Sequence, residues 1–204
     1  MTDATRPAAS TDRLATIPNL VTLVRLCCLP LFLYLLFGRD DRVAAAWLLG
    51  GLGATDWVDG YLARRLGQVS EFGKKFDPTV DRLLFIVGVG GILLDGVPPT
   101  WFFVLVLVRE ILVGAMMAIA TLAFGMVRFD VTWLGKLATF LLMFAVPGFL
   151  LGASDMPGAG GFEIASWLMG VPGLALSWYV GVMYVPKVRA AIRAGRTAEA
   201  GAAS

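Results

Sequence analysis

Six stretches of this chain are long and apolar enough to cross a lipid bilayer, and nothing else in the sequence limits its fold so strongly. In hydrocarbon no water satisfies backbone N–H and C=O groups, so a spanning segment must be a helix of about 20 apolar residues or part of a closed barrel. The stretches fall at roughly 19–38, 43–64, 80–97, 101–125, 133–153 and 164–185, each of helical length. Hydrophobic residues make up 58% of the chain and charged ones 16%, and no segment outside the apolar runs is long enough for its own core. The expectation is an all-α integral membrane protein with six transmembrane helices in one domain at 13–193. The polar, alanine-rich ends at 1–12 and 194–204 have the composition of disordered tails.

An even number of spans puts both termini on one side, and the cations say which. Arg6, Arg13 and Arg25 precede or begin the first span; Arg64, Arg65, Lys74, Lys75 and Arg82 cluster between the second and third. Arg128 and Lys136 lie between the fourth and fifth, and Lys187, Arg189, Arg193 and Arg196 follow the sixth, whereas the opposite loops hold only Arg39 and Arg42. The positive-inside rule makes the richer side cytoplasmic, with both termini there, in the plasma membrane against anionic lipid headgroups. A net charge of +2 carries no nucleic-acid footprint. The first span resembles a signal peptide between Arg13 and Ala44, but five further spans favour its retention. Adjacent Cys27 and Cys28 suit neither a disulfide nor a metal site and read as small apolar packing. Histidine is absent, so a general base has to be a carboxylate, a lysine, a tyrosine or water.

The second and third spans contain Asp56, Asp59, Asp77 and Asp81 at or inside the membrane boundary, where an unpaired carboxylate costs at least a few kcal/mol. Spacings of three and four residues put both acids of each pair on one helix face. Taken singly, Asp56 and Asp59 read as helix-end acids, Asp77 as the cap of a helix starting at Pro78, and Arg64 and Arg65 as topology signals. Taken together, two antiparallel helices joined by a basic stretch place four carboxylates face to face near the cytoplasmic surface, a cluster that demands cations. Oxygen ligands without cysteine or histidine suit Mg²⁺ or Mn²⁺, the ions that neutralise a diphosphate. Two such ions fit the four acids.

Written out, the segment is Asp56-x2-Asp59-Gly60-x2-Ala63-Arg64-x8-Gly73-x3-Asp77-x3-Asp81. It matches without a gap the signature of the CDP-alcohol phosphotransferase family, and at average residue frequencies the chance of that in a chain this long is on the order of 10⁻⁸. The resemblance extends to the six-helix pattern, and IPNLVTLVRL at 17–26 is similar to the opening of bacterial phosphatidylglycerophosphate and cardiolipin synthases. It implies that Asp56, Asp59 and Asp77 bind a two-metal centre, that Asp81 touches metal and deprotonates the acceptor hydroxyl, and that Gly60, Ala63, Arg64, Ser70 and Gly73 line the CDP site. The implied reaction transfers a phosphatidyl group from CDP-diacylglycerol to a glycerol-type acceptor and releases CMP.

Glycerol 3-phosphate is the first acceptor the resemblance implies, and phosphatidylglycerol the alternative. Lys136 and Thr139 match positions at the start of the fifth helix in glycerophosphate-using relatives, but Ala138 stands where a further lysine belongs in that pattern. Arg25, Arg109, Arg128 and Lys136 are the candidates for the acceptor pocket. Arg109 and Glu110 lie inside the fourth span and must pair with each other or face a polar cavity. Glycines 50, 51, 53, 88, 90 and 91 also fit a small transporter, a dimerising scaffold or a homodimeric enzyme. Neither non-enzymatic alternative gives the acidic cluster a purpose as direct as phosphoryl chemistry.

Overall fold

A computed structural model describes the backbone at 17–66, 71–124 and 132–202, and the side chains at 22–55, 80–121 and 132–193. Among the described residues the chain is all-helical: α1 (Ile17–Leu33), α2 (Arg42–Leu66), α3 (Glu71–Leu94), α4 (Thr100–Phe124), α5 (Trp133–Gly152) and α6 (Ala159–Ala202). Each expected span falls on one of these helices. Three are long and apolar enough to cross a membrane by length and composition, at Thr100–Thr121, Trp133–Gly152 and Ala159–Arg193; Thr22–Gly38 is a shorter apolar helix.

The ends of the helices differ from the apolar runs. The first run contains Pro30, which lacks an amide hydrogen, and α1 gives way to a π-helical turn at Tyr34–Gly38. The Tyr34 ring lies where a side chain on Gly38 would be, 2.8 Å from that position. Helix α3 begins at Glu71 and runs through Asp77 and Pro78, so the reading of Asp77 as a cap before Pro78 is corrected. Helix α6 continues through Ala202, and residues 194–202 are helical where composition alone gave a disordered tail. Alanine and arginine are strong helix formers, and propensity prevailed over low hydrophobicity there. Residues 1–12 lie outside the described part. Cys27 is exposed rather than packed, and Cys28 is half-buried.

Three turns meet at one end of the bundle. Asp41 caps α2 by accepting from the Ala44 amide at 2.9 Å. Arg42, the first residue of α2, pairs with Asp95 after α3 at 2.8 Å and donates to the Ala153 carbonyl after α5 at 3.0 Å. One guanidinium thus ties the α1–α2, α3–α4 and α5–α6 turns together.

The core sits toward that end. Phe32, Leu36, Ile92, Phe102, Phe103, Phe149 and Leu150 are fully buried, and Phe149 meets Phe102 at 5.0 Å and Trp167 at 5.2 Å between ring centres. Glycine lets α5 and α6 approach closely: a side chain at Gly148 would run into Ser166, and one at Gly152 into the Glu163 backbone at 3.0 Å. The outer surface is apolar: Leu94, Trp133, Leu168 and Val182 are among many exposed large side chains, and only 22% of the α4 span is buried. So much exposed apolar surface belongs in lipid.

Candidate active site

The acidic segment occupies the ends of α2 and α3 remote from the Arg42 clamp. Asp56, Asp59, Gly60, Ala63 and Arg64 stand on the second half of α2, and Gly73, Asp77 and Asp81 on the first half of α3. For all of these but Asp81 only the backbone is described. Ser70 lies outside the described residues, as does Arg128.

Two contacts fix the register of this antiparallel pair. Arg42 meets Asp95, and seven residues further along each helix the Leu49 side chain rests over Gly88, 3.0 Å from where its Cβ would be. Another seven residues, about 10 Å at the helical rise, lead to Asp56 on α2 and Asp81 on α3. Aspartates on two antiparallel helices supply the oxygen chemistry that a hard divalent cation takes.

Asp81 accepts from Arg25 of α1, Nη1 to Oδ1 at 3.0 Å, with the arginine side chain 5% exposed and the aspartate 38%. The arginine is locked inside the bundle while the carboxylate still opens outward. Arg25 and Asp81, two of the predicted site residues, are thereby brought into contact.

The next residue on α3 points elsewhere. Arg82 donates from Nε to Glu110 Oε1 at 2.9 Å, and Arg109 donates from Nη1 to Glu110 Oε2 at 2.8 Å. Arg109 Nε also reaches the Ser177 carbonyl of α6 at 3.1 Å. Gly114 makes room for this network, since a Cβ there would lie 3.1 Å from Arg82 Nη1. Adjacent residues of α3 are thus tied to different helices, Asp81 to α1 and Arg82 to α4, which fixes the rotation of the acidic face. Sequence reasoning anticipated the Arg109–Glu110 pair but counted Arg82 only as a topology signal. The available clue was Glu110 itself, an acid deep in an apolar helix that needs more than its neighbour.

Lys136 is exposed on the first turn of α5, capped by Thr132, whose side chain accepts from Gly135 N. Thr139 donates to the Gly135 carbonyl at 3.1 Å, so its hydroxyl is engaged on its own helix. Ala138 between them is fully buried.

An apolar helical bundle with four aspartates along one stretch of α2 and α3 defines a membrane protein that carries an acidic segment on one pair of helices. The chain belongs to the CDP-alcohol phosphatidyltransferase family, whose model matches residues 15–183. It is a transferase of phospholipid biosynthesis, which sets the transporter and scaffold readings aside. It is 37% identical to a CMP-forming cardiolipin synthase of Streptomyces coelicolor over 93% of this chain and 90% of that protein. It is 34% identical to a probable phosphatidylglycerophosphate synthase of Mycobacterium tuberculosis over 88% of this chain and 84% of that one. A CDP-diacylglycerol–glycerol-3-phosphate 3-phosphatidyltransferase of Bacillus subtilis is 30% identical over 82% of this chain and 88% of its own length.

Proposed function

We propose that this transferase moves the phosphatidyl group of CDP-diacylglycerol onto phosphatidylglycerol, forming cardiolipin and CMP. The observation that carries the choice of acceptor is Ala138, fully buried in α5 where the glycerophosphate pattern has a lysine. A phosphomonoester dianion favours several converging cations, whereas a phosphodiester brings one negative charge. The extent of similarity to the Streptomyces protein supports the same acceptor.

In this reading the acidic pair works at the cytoplasmic face of the plasma membrane, the side to which the cations assign both termini. Asp56, Asp59, Asp77 and Asp81 would hold one or two divalent ions, Mg²⁺ or Mn²⁺. Bound there, such ions neutralise charge on the diphosphate and favour departure of CMP. Gly60, Ala63 and Gly73 give the CDP moiety close access to the helices, with Ser70 beside them, and Arg64 supplies a bidentate donor for its phosphates. Arg25, Arg109, Arg128 and Lys136 serve the acceptor side. Asp81 takes the proton of the acceptor hydroxyl as its oxygen bonds to the phosphorus carrying diacylglycerol. The bond from that phosphorus to the CMP oxygen breaks, and CMP leaves with the electron pair.

Glycerol 3-phosphate is the second reading, favoured by the exposed Lys136. Purified protein given CDP-diacylglycerol and Mg²⁺ should release CMP faster with phosphatidylglycerol than with glycerol 3-phosphate. The reverse order would make it a phosphatidylglycerophosphate synthase.

A further inference from the structure

We propose that the outer side of the α3–α4 pair binds an anionic phospholipid, whose phosphodiester sits on the open edge of the Arg82 guanidinium beside Gly114. The inference does not depend on which acceptor the enzyme uses. Its basis is an imbalance of charge. Glu110 is one carboxylate between two guanidinia, Arg82 at 2.9 Å and Arg109 at 2.8 Å. Arg109 is 13% exposed and gives its Nε to the Ser177 carbonyl. Arg82 is 43% exposed, and its Nε is the donor that meets Glu110. Together the three side chains carry one surplus positive charge. Arg82 lies about 18 Å along α3 from the helix end at Leu94, within a hydrocarbon layer about 30 Å thick. An unmatched cation is costly at that depth, and an anion arriving from the lipid removes the cost.

The geometry also says where the anion rests. While Nε turns to Glu110, Cζ and Nη1 of Arg82 lie 3.3 and 3.1 Å from where a Cβ on Gly114 would be. Helix α4 starts at Thr100 beside the Arg42 clamp, so Gly114 stands one turn, about 6 Å, beyond Glu110 toward the acidic end. The guanidinium therefore stretches along α4 toward the nearer headgroup layer, as long cationic side chains in membranes do. Its remaining N–H groups form a fork that matches two oxygens of a phosphodiester. Leu83 and Ile111, next in sequence to Arg82 and Glu110, are 44% and 53% exposed and add apolar surface for acyl chains. A lipid with one net negative charge balances the cluster, and a zwitterionic one does not.

The test is native mass spectrometry of the delipidated full chain in detergent, titrated with phosphatidylmethanol, phosphatidylglycerol or phosphatidylcholine. Phosphatidylmethanol carries the anionic phosphodiester without an acceptor hydroxyl, so it separates this site from acceptor recognition. The wild type should bind one phosphatidylmethanol about tenfold more tightly than phosphatidylcholine, and phosphatidylglycerol at least as well. Arg82→Gln should lose that preference, and Arg82→Lys, a point charge without the fork, should keep part of it. Lys136→Gln, on the acceptor side, should keep all of it. A wild type without the preference, one that prefers phosphatidylglycerol alone, or a folded Arg82→Gln protein with the preference intact overturns the proposal. So does a preference that Lys136→Gln abolishes and Arg82→Gln does not, since that places the lipid in the acceptor pocket. Should Arg82→Gln not fold, Gly114→Ala decides: its methyl group crowds the guanidinium, and the preference should fall severalfold. An unchanged preference there overturns the site.

Discussion

At the scale of single residues the account turns on Asp81. Among the described residues its carboxylate meets the buried Arg25. If Asp81 takes the acceptor's proton, Asp81→Asn keeps the size and loses the base. CMP release should fall by about 10²–10⁴-fold, with the protein still folded. Undiminished turnover would remove the role. Gly114 is a second test, because Arg82 lies across it. Gly114→Leu should displace Arg82 from Glu110 and destabilise by about 1–3 kcal/mol, read as a lower midpoint of thermal unfolding in detergent. An unchanged midpoint would mean that the network contributes little.

At the scale of helices the decisive feature is how α3 is held. Arg25 pulls one side of it toward α1 and Glu110 holds the other toward α4 through Arg82. Glu110→Gln should leave Arg109, 13% exposed, without its carboxylate, and lower stability by about 1–3 kcal/mol, less than the full cost of a broken buried pair because Arg82 is partly solvated. CMP release should fall with it, since the acidic face loses its lock. Full activity with lowered stability would confine the pair to folding. The helices themselves were legible in the sequence because hydrocarbon leaves an apolar run no other shape. Their ends were less so. The charged run EFGKKF before Asp77 carries no membrane signal, yet α3 starts at Glu71. The aspartate spacing was readable because a helix places residues three and four apart on one face. The Arg82–Glu110 pair was not, because it depends on the rotation of two helices against each other, which linear spacing does not encode.

At the scale of the molecule the chain is a polarised bundle: three turns and the Arg42 clamp at one end, the acidic pair at the other. In a chain freed of Cys27 and Cys28, a cysteine at Lys136 should react with an impermeant maleimide only from the cytoplasmic side, and one at Arg39 only from the opposite side. Labelling of both from one side would invert or abolish the proposed topology. The most direct test of the central claim is the lipid product itself. Purified protein with Mg²⁺, CDP-diacylglycerol and phosphatidylglycerol of a different acyl composition should yield a cardiolipin whose mass contains both chain sets, one equivalent per CMP released. Absence of that mixed lipid, with phosphatidylglycerophosphate formed when glycerol 3-phosphate is added, would contradict it.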